Sequence, residues 1–192
     1  MSQESQKHDL EQSQTTVTLP LFPLRLVLFP GQVLPLHIFE PRYRLMINQC
    51  VEKEEPFGVV LMRDDTPDWR EYNGDLELPY QVGTTAHIQR MERLADGRLN
   101  IITLGLHRFR VRSLRFDMPF LQGEVESFPM EGAPAPQDTK AVSRLLPGYI
   151  KQLSRVLNSD IDLGEAPDDP HTLAFVTAAA LQLPWDEKQS LL

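Results

Sequence analysis

Cysteine occurs once, at position 50, so the chain forms no disulfide within itself and suits a reducing compartment. Positive charge is in deficit, with 19 lysines and arginines against 27 aspartates and glutamates and a formal net charge of −8. That balance excludes bulk electrostatic attraction to nucleic acid or to an anionic membrane, and leaves only a local basic patch for either role. Long apolar runs are also missing. The nearest candidate, 173–183, falls short of the roughly 20 residues of a spanning helix and contains Thr177 and Gln182. Residues 1–16 are polar and lack the apolar centre of a secretory signal, so they read as a disordered tail on a cytoplasmic protein that uses no membrane.

Catalytic signatures are equally scarce. No G-x-x-x-x-G-K-[ST] loop is present to cradle phosphate, and the glycines never cluster as G-x-G-x-x-G. His8, His37, His87, His107 and His171 share no ligand spacing, and the acidic run 160–164 lacks the later ligands of a calcium loop and reads as an interhelical connection. Lys151 with Ser154, and Lys188 with Ser190, have no third group to orient a base. The expectation is a chain with no catalytic residues, no cofactor and no metal. Cys50 itself falls on an apolar helical stripe, where a thiol packs as a small hydrophobe.

What the sequence does contain is concentrated in 19–44, LPLFPLRLVLFPGQVLPLHIFEPRYR. Its leucines give near-continuous apolar character, broken by Pro20, Pro23, Pro30 and Pro35, each of which removes a backbone donor. Strands of that composition belong at edges or bulges. Pro30-Gly31 has the pairing of a type II turn and reverses the chain into a second strand, 32–38. Pro41 suits the first position of a helix over 41–53, with Glu40 at its positive end. Tyr43, Met46, Ile47 and Cys50 mark its buried face.

Further along, 57–62 reads as a short buried strand and 64–80 as a long acidic loop around Trp69 and Tyr72. Asp96-Gly97 predicts a hairpin between 86–94 and 99–104. Alternation around Phe109 and Val111, and around Leu121 and Val125, predicts two more strands. Closely spaced strands with one early helix indicate a small β-barrel rather than a parallel α/β sheet. The Pro-rich segment 128–137 then separates a β-barrel lobe, 17–127, from an α-helical lobe, 138–192. That lobe opens with a helix over 138–157 that Pro147 should kink, continues with a helix capped by Asp169, and closes with a start over 187–192. The fold class is α+β.

The order LPLFPLR, FPG and LPLHIFEPRYR across 19–44, with weaker echoes at 82–84, 96–98 and 105–110, resembles the opening of the N-terminal, substrate-binding domain of the Lon protease family. The resemblance spans about residues 17–192 and implies a PUA-like barrel lobe followed by helices. It implies a stand-alone form, since the ATPase and peptidase modules of the complete enzyme are not in this chain. It further implies recognition of unfolded or extended polypeptide, in company with a protease or chaperone.

Two surfaces are candidates for that work. Pro-interrupted strands with unpaired backbone groups near 22–29 would accept an added strand in a groove between barrel and helices, with Phe29, Phe39 and Tyr43 as apolar anchors. Arg108, Arg110 and Arg112 form a basic strand face that either contacts RNA phosphate or pairs internally with Glu40, Glu124 and Glu126. RNA binding through this face is the alternative to peptide recognition, and a small-ligand sensor using an apolar groove is the third reading.

Overall fold

The computed structural model describes residues 16–63, 79–132, 134–158 and 167–192. The expected tail, nearly all of the acidic loop 64–80 and the connection 160–164 lie outside those residues.

Six strands and four helices follow one another as β1 (Val17–Leu24), β2 (Val33–Ile38), α1 (Pro41–Lys53), β3 (Phe57–Leu61), β4 (Val82–Arg93), β5 (Leu99–Arg115), β6 (Gln122–Ser127), α2 (Pro136–Leu157), α3 (Pro170–Ala180) and α4 (Trp185–Ser190). The sheet runs β2-β5-β4-β3-β1-β6, and a further pairing of β5 with β6 closes five of the strands into a barrel. β5 makes the closure possible through its length of 17 residues. Its first part carries β2 on one side and β4 on the other, and its last part turns to β6. The alternation at Phe109 and Val111 thus belongs to the second half of one long strand. β2 does lie at an edge, as Pro35 requires, but its partner is β5 rather than β1.

β1 places its prolines where no neighbour needs them. Its first half pairs antiparallel with β6 and its second half parallel with β3. Leu21 N–H donates to the carbonyl of Leu121 at 2.8 Å, on the β6 side. Donors alternate sides along a strand, so Pro23 faces β6 beyond the end of that ladder, and Pro20 faces β3 before its ladder begins.

α1 obeys its periodicity, burying Tyr43, Met46, Ile47 and Cys50 against the barrel, with the Tyr43 ring stacked 4.1 Å from that of Phe22. Pro41 opens the helix, while the Glu40 carboxylate binds Arg42 at 2.7 Å instead of capping. Pro30 and Gly31 form the reversing turn, with Gly31 at φ 82° and Gln32 N–H donating to the Phe29 carbonyl at 3.1 Å. Gly97, at φ 81°, turns the hairpin between β4 and β5.

α2 runs unbroken from Pro136 to Leu157 with Pro147 inside it, and packs Leu146 and Ile150 against Leu173 of α3. Asp169 caps α3 by accepting from Thr172 N–H at 2.7 Å. α4 starts two residues earlier than the expected 187, at Trp185, and without a side-chain cap. Gln189 donates to the Val82 carbonyl at 3.0 Å and so fastens α4 to β4. No helix among the described residues is long and apolar enough to cross a membrane.

Candidate functional site

The three aromatics expected to anchor a peptide do not stand together on a surface. Phe29 is 1% exposed and packs among Val27, Leu61 and Phe175, filling the space between barrel and helices that was expected to be a groove. Tyr43 is 6% exposed against Phe22. Only Phe39 faces outward, at 61%. The segment around 22–29 likewise offers less edge than expected, since Phe22, Pro23 and Leu24 are paired with β3.

The open edge and the exposed aromatic meet at β2 instead. Gly105 N–H donates to the Gln32 carbonyl at 2.9 Å, which sets the phase of the antiparallel ladder. Leu34, Leu36 and Ile38 therefore direct their main-chain groups to β5, and Val33, Pro35 and His37 direct theirs to the free edge. Pro35 has no N–H to offer there, which leaves Val33 and His37 as donors and blunts the edge against pairing with its own kind. On the outer face Val33 is 58% exposed, and Pro35 stands opposite Ile102 of β5, itself 37% exposed. With Phe39 these side chains present an apolar strip beside backbone that has no strand partner among the described residues.

A polar network organises the end of that strip. His37 lies opposite Asn100, and Asn100 opposite Glu92 of β4. The Asn100 amide donates to Glu92 Oε2 at 3.3 Å, so its oxygen accepts from His37 Nδ1–H at 2.7 Å. His37 Nε2 then accepts from Arg98 at 3.2 Å, and Arg98 is held by Asp96 at 2.6 Å. This arrangement requires the neutral imidazole with its proton on Nδ1. The ring of Phe39 lies 6.2 Å from that of His37 at 29°, so the network also orients the exposed aromatic.

The arginine face of β5 is turned largely to internal use. Arg108 donates to the carbonyls of Phe128 at 3.1 Å, Pro129 at 3.0 Å and Leu192, with Phe128 under its guanidinium at 4.6 Å. Burial, and then the nearby Arg110, lower its pKa from the usual arginine value. Arg110 lies 4.0 Å over the same Phe128 ring. Arg112 pairs with Glu126 at 2.6 Å. These contacts lie within the fold, mostly with backbone carbonyls and an aromatic ring, and Glu126 is the one expected carboxylate among them.

Lys188 donates to the Ala179 carbonyl at 2.9 Å and Ser190 to the Asp186 carbonyl at 3.1 Å. Among the described residues no three or more His, Cys, Asp or Glu stand where they could share a metal ion.

Sequence reasoning missed Val33, Ile102 and the His37–Asn100–Arg98 network. The period-two run 33, 35, 37 was present, but Leu34, Leu36 and Ile38 are apolar too, which hides the outer face from a hydrophobicity pattern.

The family model described as the ATP-dependent protease La (LON) substrate-binding domain matches residues 18–192. Lon protease from Anaeromyxobacter dehalogenans is 29% identical over 179 residues, covering 91% of this chain and 21% of the relative. Lon protease from Parabacteroides distasonis is 34% identical over 109 residues, 56% of this chain and 13% of the relative. The chain thus spans about a fifth or less of these relatives. Among solved structures, a Lon N-terminal domain protein from Xanthomonas campestris superposes with TM-score 0.62 at 27% identity, covering 91% of this chain and 88% of that one. The N-terminal domain of Lon protease from Mycobacterium avium complex shares the fold, with TM-score 0.59 at 18% identity over 91% and 89% of the two chains.

Proposed function

The chain belongs to the ATP-dependent protease La (LON) substrate-binding domain family, and we propose that it recognises unfolded or extended polypeptide segments without catalysing a reaction on them. The observation that carries this reading is the edge strand β2, whose outer main-chain groups have no strand partner among the described residues and lie beside the exposed Val33, Ile102 and Phe39. An extended segment would bond to Val33 and His37 and lay alternate apolar side chains on the strip. Because Pro35 withholds a donor, main-chain bonding is limited and apolar contact supplies most of the affinity. That suits a binder with little sequence selectivity.

The matched module is described as substrate-binding, and Lys188 and Ser190 are committed to backbone carbonyls. Both support a non-catalytic role. The class of partner proposed is a protease or chaperone in cytoplasmic protein quality control, and the relatives named Lon protease support the first of these. Arg108, Arg110 and Arg112 are occupied within the fold, so RNA enters only as an outcome to be tested.

Fluorescence polarisation with an unfolded, apolar-rich peptide and with a short RNA, each across a salt series, tests the reading. Peptide affinity should be on the order of micromolar or poorer and respond little to salt. Phe39→Ala should weaken it about tenfold, in line with the loss of one buried aromatic, and leave the circular dichroism unchanged. Peptide binding indifferent to Phe39→Ala would remove the site, and steeply salt-dependent RNA binding would move the function to nucleic acid.

A further inference from the structure

β3 stops pairing with β4 where Phe57 stands opposite Ala86. The next residue that would extend its ladder is Pro56, which has no N–H, and Glu55 before it donates to the Cys50 carbonyl at 2.9 Å. Residues 87–93 of β4 therefore run on with no strand beside them on that edge among the described residues. Leu94 N–H donates to the Arg98 carbonyl at 2.9 Å, and Gly105 directs its N–H to β2, which together set the phase along β4. By that alternation the main-chain groups of Ile88 and Met91 point away from β5, toward the gap. Gln89 between them is the extra residue of a β-bulge. The last turns of α1 form the facing wall, and the two sides enclose a cleft of about 360 Å³.

The cleft has an electrostatic sign. α1 ends in it, so the negative pole of the helix lies alongside the carboxylates of Glu54 and Glu55. Glu54 is itself held in the left-handed conformation, at φ 57°, as the chain leaves the helix. The Cys50 thiol, which lines the same wall, is pushed up to about 11 by burial first and then by the charge of Glu55, against an opposing pull from Lys53. His87 opposite is lowered by burial and by His107, which favours its neutral form. Val51, Ile88 and Met91 supply apolar surface between these groups.

We propose that this cleft is a second polypeptide site, selective for an extended segment that carries a lysine or arginine. The main chain of the segment adds to the open edge of β4 at Ile88 and Met91, and its cation lies by Glu54 and Glu55. Arg90 also lines the cleft, so a segment with one basic residue fits better than a polybasic one. The site is separate from the β2 strip and does not depend on it.

Nuclear magnetic resonance titration of the ¹⁵N-labelled full chain tests the proposal with three probes: the capped pentapeptide acetyl-Val-Thr-Lys-Thr-Val-amide, its counterpart with glutamate for lysine, and lysine amide alone. The lysine peptide should shift the amides of 51–55 and 87–91 and slow hydrogen exchange at Met91. Glu54→Gln/Glu55→Gln should weaken it about fivefold, the loss expected for exposed ion pairs, while Phe39→Ala leaves it unchanged. Equal binding of the glutamate peptide, shifts confined to β2, or no binding would overturn the site. Lysine amide giving the same response as the peptide would overturn strand addition, and sensitivity to Phe39→Ala would assign the peptide to the β2 strip instead.

Discussion

The rings of Phe29 and Phe175 lie 6.4 Å apart, centre to centre, and join the turn after β1 to α3. Val27, Leu61, Ala178 and Leu192 complete a cluster that belongs to strands and helices alike. The C-terminal helices therefore share apolar core with the barrel.

Phe175→Ala should destabilise the protein by about 3–4 kcal/mol, the cost of removing a buried aromatic. Urea unfolding should stay a single transition at a lower midpoint, and two separate transitions would show that the helices fold independently. We also propose 128–137 as the boundary between barrel and helical lobe. Cleavage by a glutamate-specific protease after Glu131, within that segment, should leave both fragments eluting together.

Glu126 is buried at the barrel wall and depends on a half-exposed Arg112. Arg112→Ala strands the carboxylate, and a loss of about 1–2 kcal/mol is expected, below that of a fully buried pair because water reaches one partner. Arg112→Ala/Glu126→Gln should recover part of it. Equal stability of Arg112→Ala and the parent in thermal melts would show that the pair contributes nothing.

Cys50 yields a pH prediction. Its thiol titrates near 11 when folded and at an ordinary 9.0 when free, so the unfolded chain releases this proton first as pH rises. Stability from this group is intact below about pH 9 and is lost between about 9 and 11, on the order of 3 kcal/mol. Parallel denaturant titrations of the parent and Cys50→Ala should diverge in slope over that window. Alkylation at pH 8 should be slow until the protein is unfolded.

Gly83 and Gly31 should respond differently to alanine. A methyl group at Gly83 would meet the Val59 carbonyl oxygen at 2.5 Å and the Phe109 ring at 2.6 Å, whereas Gly31 has open space but a φ of 82°. Gly83→Ala should cost about 2–3 kcal/mol through crowding, and Gly31→Ala about 1 kcal/mol through backbone strain. Melting temperatures in the reverse order would contradict this account.

The elements set by local rules were legible before any coordinates. The buried face of α1 follows from 3.6-residue spacing at Tyr43, Met46, Ile47 and Cys50, and the turns at Pro30-Gly31 and Asp96-Gly97 follow from the φ their glycines supply. Partnerships across long separations were not. Nothing near β2 signals that Val33 will lie opposite Leu104, and so nothing there reveals which edge stays open. The same limit governed the candidate site. Phe29, Phe39 and Tyr43 sit in one motif, but only packing by distant Phe175 and nearer Phe22 decides which two are buried. Arg108 reads as free charge until its carbonyl partners arrive from 20, 21 and 84 positions away.

The placement of Pro20 and Pro23 has a consequence for how the chain finds its alignment. A one-residue slip of β1 would turn every side chain to the opposite face. A two-residue slip would keep the faces, but it would bring Pro23 to the place of Leu21, opposite the Leu121 carbonyl with no proton to give, or Pro20 into the β3 ladder at the place of Phe22. Either error leaves an acceptor unanswered in a closing barrel. The two imino acids therefore act as a proofreading device for strand alignment, rejecting misthreaded barrels while the native one closes without a missing bond at either proline.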